Sequence, residues 1–334
     1  MLRCMNNSDF LVSLLKSGYN EAETVERRTK MEDVIIRSAV FVFIIIITVI
    51  LKYRHFFLSR DMTVMSKIFL YLTLPSLIIS NFSKLTFDVS LLWLIGWGMG
   101  LNVMCVAFAY FLPAAERGRR AFNVLNLSGY NIGGFVMPFL FSFAGPMGVV
   151  GASLFDVGNS IMCTGFTYTL AEQIKYQRSS SFSPLYFLRR LLYSPAFDAY
   201  LLMIILYFLD IKLPPFVIEL TDVAGRANTL VTLLMIGMAV RLSFDKSQLK
   251  DIFRLNLLRL LLAVMGSIIV YYFAPFTQEI KHVLIITLFS PMTFMSTAFT
   301  MSLKEDAGTS GSACSVSIVI SIVISTLLIL YMGI

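Results

Sequence analysis

Residues 129–138 read Gly-Tyr-Asn-Ile-Gly-Gly-Phe-Val-Met-Pro, inside one of the longest apolar stretches of the chain. Gly133, Gly134 and Pro138 loosen or break a helix and free backbone N–H and C=O groups. Asn131 adds a side-chain amide beside them. A second such place is Ser290-Pro291, followed by Thr293, in HVLIITLFSPMTF. A helix that restarts after a break presents free N–H groups and partial positive charge, which together hold an anion. Asn131, Gly133, Gly134, Pro138, Ser290, Pro291 and Thr293 are therefore the candidate substrate-binding residues. A lone proline produces only a kink, and Asn131 could equally tie off backbone freed by the break. Asp156, in GASLFDVGNSIMC, is the one acid placed well inside an apolar run of the first half, and Asn159 shares its helix face. A carboxylate in the membrane costs at least ~2.5–3.5 kcal/mol, so it reads as a functional group by default. Asp156 and Asn159 are candidates for binding a coupling proton or ion; the plainer alternative is an aspartic acid hydrogen-bonded to a neighbouring helix. Pro75, Ser76, Ser80 and Asn81 could face the same site, with interhelical hydrogen bonding as the alternative.

Other chemistries lack their residues. Cys4, Cys105, Cys163 and Cys314 are far apart, and only His55 and His282 could join them, so no metal site or cofactor is expected. H-E-x-x-H is absent, and GTSGS fails the last position of G-x-S-x-G, so the chain is not expected to be an enzyme. Lys and Arg (27) exceed Asp and Glu (20), but the basic residues lie in short loops without an aromatic–basic patch, so no nucleic-acid partner is expected.

The elements that must position these residues follow from composition. Of 334 residues, 57% are apolar and 14% charged, against roughly 45–50% and about 25% in a soluble domain. Apolar runs near 20 residues long give an all-α membrane protein of ten spans: 34–51, 64–83, 89–112, 121–143, 146–171, 184–209, 215–243, 249–274, 280–303 and 310–332. Residues 1–33 form an N-terminal extension, either a short surface helix or a segment ahead of the true start at Met31. Residues 34–171 and 184–334 hold five spans each, joined by a polar linker at 172–183. The odd-numbered loops carry most of the Lys and Arg, among them Lys52, Arg117, Arg119, Arg120, Lys175, Arg189, Arg190, Lys250, Arg254 and Arg259; the even ones hold Lys84, Lys212, Arg226 and Lys281. The odd loops are therefore cytoplasmic and both termini outside. No basic residue falls in the middle of a span on this reading. Five is odd, so the second half enters from the opposite side: the repeat is inverted, and disruptions in its fourth and ninth spans point to a midplane site.

Asn131, six residues and then Pro138 in the fourth of ten spans resembles the auxin efflux carrier family, which includes the plant PIN carriers and bacterial permeases for malate, malonate and similar acids. YLTLPSLIISNF (71–82), LLYSPAFDAYLLMIILYFLDIKLPP (191–215) and LLMIGMAVRL (233–242) are similar to its second, sixth and seventh spans. The resemblance covers about residues 34–334. It implies two inverted five-helix repeats with broken, crossing fourth and ninth helices, an architecture shared with bile-acid sodium symporters and sodium–proton antiporters. It also implies a scaffold of spans 1, 2, 6 and 7, an elevator-like transport domain, a small carboxylate substrate, a homodimer, and a plasma membrane, here a bacterial one. Asn131 falls at the family's substrate-contacting asparagine. The family often has Gly-x-Pro at the break, where this chain has Val136-Met137-Pro138. The sodium-site pattern of the bile-acid symporters is absent from spans four and nine; that symporter type is the alternative, and a membrane enzyme the more distant one.

Overall fold

A computed structural model describes residues 32, 35–83, 89–144, 146–177, 195–240 and 246–332. The N-terminal extension, apart from residue 32, and the linker beyond residue 177 lie outside the described residues, as do the first residues of the expected sixth span. Among the described residues there is no strand.

Helices α1 (Ile35–Tyr53), α2 (Ser59–Ile68), α3 (Leu74–Phe82), α4 (Trp93–Phe111), α5 (Arg117–Leu127), α6 (Met137–Phe143), α7 (Pro146–Ile161) and α8 (Tyr168–Tyr176) make the first half. The second half holds α9 (Pro195–Phe208), α10 (Pro215–Ala239), α11 (Leu249–Phe273), α12 (Gln278–Leu288), α13 (Phe294–Ser302) and α14 (Ala307–Met332). Single π-helical turns at Phe69–Thr73 and Met162–Thr167 carry α2 into α3 and α7 into α8. Among the described residues six continuous stretches are long and apolar enough to cross a membrane: Ile35–Tyr53, Arg60–Phe82, Val89–Phe111, Met147–Tyr176, Lys246–Phe273 and Ala307–Met332. The expected spans at 121–143 and 280–303 are each two shorter helices separated by non-helical chain.

Two sets of helices pack together. In one, α3 lies against α9 and α10, and α2 joins them; in the other, α4 lies against α5 and α7, α11 against α12 and α14, and α13 against α14 and α5. The sets meet where α10 touches the 132–136 turn and α6, and where α3 touches α7. The tightest seam, α4 on α7, depends on two glycines. A Cβ on Gly98 would overlap the Phe155 carbonyl, and one on Gly158 would overlap that of Ile95. Small residues that let backbones approach in this way drive helix association where lipid offers no hydrophobic gain.

One expectation is corrected here. Arg259, counted among loop cations, lies near the middle of α11, ten residues from its start at Leu249, roughly 15 Å along the axis at 1.5 Å per residue. The surrounding Leu-Asn-Leu-Leu-Arg-Leu-Leu-Leu sequence continues the helix on both sides. What makes the charge tolerable there is a set of carbonyl partners on another helix.

Candidate functional site

The break in the fourth span falls at Ser128–Asn131, upstream of the two glycines. Helix α5 ends at Leu127, and Gly129 takes φ +80°, a left-handed backbone that favours glycine. The chain then restarts as a π-turn, Ile132–Val136, that runs into α6. Pro138 lies further on, in α6, where the chain has already been helical since Ile132. Proline is thus not what stops α5, which ends eleven residues earlier at Leu127. In the ninth span α12 ends at Leu288, residues 289–293 are non-helical, and α13 restarts behind Thr293, whose hydroxyl accepts from Met295 N at 3.4 Å.

The two breaks meet. Asn131 N donates to Pro291 O at 3.2 Å, and Met292 N to Ser317 Oγ of α14 at 3.1 Å. Three further backbone groups of the first break are satisfied by two asparagines of the α4–α7 seam. Gly129 N donates to Asn102 Oδ1 (2.9 Å) and Tyr130 N to Asn159 Oδ1 (3.0 Å); Asn159 Nδ2 donates back to Tyr130 O (2.9 Å) and to Asp156 Oδ1 (2.9 Å). Asn102 Nδ2 also donates to Asn159 Oδ1 at 3.2 Å. Asn159 is therefore engaged on every side in holding the break. Asn126 performs the same service one turn earlier, donating to Thr300 Oγ1 (3.1 Å) of α13 and accepting from Ser310 Oγ (2.5 Å) of α14.

Asn131 is different. It is buried, yet among the described residues its Nδ2 has no hydrogen-bond partner, although a buried amide ordinarily finds one. Gly134 makes room for it: a Cβ there would come within 2.6 Å of Asn131 Oδ1. Gly133 leaves ordinary space, with Leu74 Cδ2 3.4 Å and Asp156 Oδ2 3.6 Å from a Cβ placed on it. The Asp156 carboxylate thus lies against the restart of the fourth span, where the first N–H groups have no intrahelical acceptor.

Arg259 closes the end of α5. Its Nη1 donates to Asn126 O and Ser128 O, each at 3.3 Å, and its Nη2 to Gly129 O at 2.8 Å. These are carbonyls that a helix C-terminus leaves unpaired. Leu288 and Phe289, the end of α12, line the same small cavity as Arg259, together with Ser290, Ser317 and Ser321. Among the described residues Ser290 Oγ is buried without a partner, and Ser290 lines this cavity whereas Asn131 does not.

The scaffold-side candidates divide. Ser80 Oγ donates to Asp222 Oδ1 of α10 at 2.8 Å, while Asn81 Nδ2 donates to Leu77 O of its own helix at 2.7 Å. Pro75 sits in the first turn of α3, and Ser76 is half-buried. Leu74, their neighbour, is the α3 residue placed against the break. Sequence reasoning missed Asn102, Gly129 and Arg259. A lone asparagine in GWGMGLNVMCV and a lone arginine within eight residues of mostly leucine were the available signals. No protein-family model matches the chain, and no curated protein matches it.

Proposed function

We propose that the chain is a secondary carrier of a small organic anion, a mono- or dicarboxylate, working by elevator-type alternating access and similar in design to the auxin efflux carriers. The observation that carries this reading is the meeting of two helix breaks beside a buried amide donor, Asn131 Nδ2, that has no protein acceptor. A carboxylate supplies the acceptor and is drawn by the partial positive charge of the two restarting half-helices. The reading takes the helices as ten spans in two inverted repeats of five, with both termini outside. α1, α2–α3, α9 and α10 are the scaffold and the other set is the moving domain; the division of packing between the two sets supports it. A homodimer through the scaffold follows the same analogy.

Asp156 supplies the coupling. An ionised carboxylate beside Gly133 repels an arriving anion, and a protonated one does not. Substrate and proton therefore bind together, and uptake rises as the pH on the loading side falls. Asp156→Asn, permanently neutral, is expected to keep substrate binding, lose the pH dependence, and no longer respond to an imposed proton gradient. Gradient-driven accumulation equal to that of the unaltered protein in that variant would refute the assignment.

Counterflow in proteoliposomes tests the carrier itself. Unlabelled malonate or malate inside the vesicles should drive transient accumulation of the labelled acid, which neither a channel nor an enzyme produces. A panel of labelled mono- and dicarboxylates with no counterflow for any member would overturn the proposal.

A further inference from the structure

A positive charge halfway along a membrane helix needs a reason. Among the described residues no carboxylate pairs with Arg259, and none lines the cavity it borders. Its partners are three backbone oxygens at the end of α5 and the turn after it. The end of α12 converges on the same cavity. Each helix C-terminus carries the equivalent of roughly half a negative charge, so two of them together balance about one cation. The oxygens around the guanidinium are the kind of neutral, convergent carbonyl set that elsewhere holds a bare metal cation at the end of an unwound helix.

We propose that Arg259 is a tethered cation: it occupies a carbonyl cage at the end of α5, in a cavity that the end of α12 also lines, and thereby assembles the crossing with no metal ion. It is a positioning residue: it holds Asn126 O, Ser128 O and Gly129 O, and Asn131 does not line its cavity. Two consequences follow. The crossing is as stable in the absence of sodium as in its presence. Truncating the side chain leaves a cage that accepts a free cation of guanidinium shape. The cage is a property of the fold and does not require that the chain be a carrier.

The geometry is selective for charge and for shape together. Of the five N–H donors of a guanidinium, three are used on the carbonyls, and their planar fork spans Asn126 O, Ser128 O and Gly129 O at once. A lysine ammonium keeps the charge but lacks the fork. Urea keeps the fork and lacks the charge.

The test uses the purified full-length protein in detergent and reads its thermal unfolding. For the unaltered protein, exchanging sodium for N-methylglucamine at constant ionic strength should leave the midpoint unchanged. Arg259→Ala should unfold at a lower temperature. Methylguanidinium at low millimolar concentration should restore most of the loss, Arg259→Lys should fall between the two, and methylurea should restore nothing. Equal rescue by methylurea, or no rescue by any cation, would overturn the cage. So would a sodium-dependent midpoint in the unaltered protein. Should Arg259→Ala fail to fold, Arg259→Gly expressed and extracted in methylguanidinium provides the same comparison on removal of the additive. Because the readout is unfolding, a negative result leaves the counterflow test of the carrier standing, and the reverse holds equally.

Discussion

Asn131→Ala is expected to slow counterflow roughly ten- to a hundredfold while the protein keeps its fold. A hydrogen bond to a charged group contributes about 1.5–3 kcal/mol, and the Asn131 amide has no protein acceptor to lose. Its backbone N–H, which joins the two breaks through Pro291 O, is untouched by the substitution. The loss should appear as a higher half-saturating substrate concentration, with the unfolding midpoint in detergent within a degree or two of the unaltered protein. Asn102→Ala provides the contrast. It removes the acceptor of Gly129 N and a donor to Asn159, so it should lower stability first. If Asn131→Ala transports with unchanged affinity, the amide does not touch substrate.

The second large effect concerns Gly129→Ala. The φ of +80° costs an L-residue about 1–2 kcal/mol. The added Cβ would also lie 2.6 Å from Cys163 Sγ and 3.1 Å from Thr293 Cγ2, and overpacking of this kind adds about 1–3 kcal/mol. Together these should destabilise the protein by roughly 2–5 kcal/mol. Thermal unfolding in detergent measures it, and pairing the change with Cys163→Ala should recover the steric part and leave the backbone part. An unfolding midpoint equal to that of the unaltered protein would show that the chain can cross here without a left-handed residue. Gly133→Ala, which meets only ordinary contacts, should be far milder.

These expectations differ in how far the sequence foresaw them. The disrupted stretches, the asparagine among them and the aspartate within an apolar run stood out because polar and helix-breaking residues are rare there. Their local setting was legible for the same reason. The position of the break was not. Pro138 is the louder signal, yet the chain is already helical again from Ile132 when it reaches that proline, and it turns instead at Gly129, which looks no different from Gly133 in one dimension. Asn159 was legible as a partner of Asp156, three residues away. Its hold on Tyr130 was not, since that contact spans 29 positions.

Arg259 shows the limit most clearly. Charge counting placed it in a loop because a lone cation is costly in a membrane, and that cost is real wherever nothing compensates it. By itself the sequence determined an apolar, all-helical chain with long hydrophobic stretches, and it marked two of them as interrupted, because periodicity and helix-breaking residues act over a few neighbours. Only the tertiary structure decided that the interruptions meet, that two asparagines of the α4–α7 seam tie off the freed backbone, and that α11 brings an arginine to the end of α5. Those outcomes depend on which unpaired carbonyls and amides are brought within hydrogen-bond distance. In hydrocarbon a backbone group freed by a helix break must be paired within the protein, and here those partners come from distant parts of the chain.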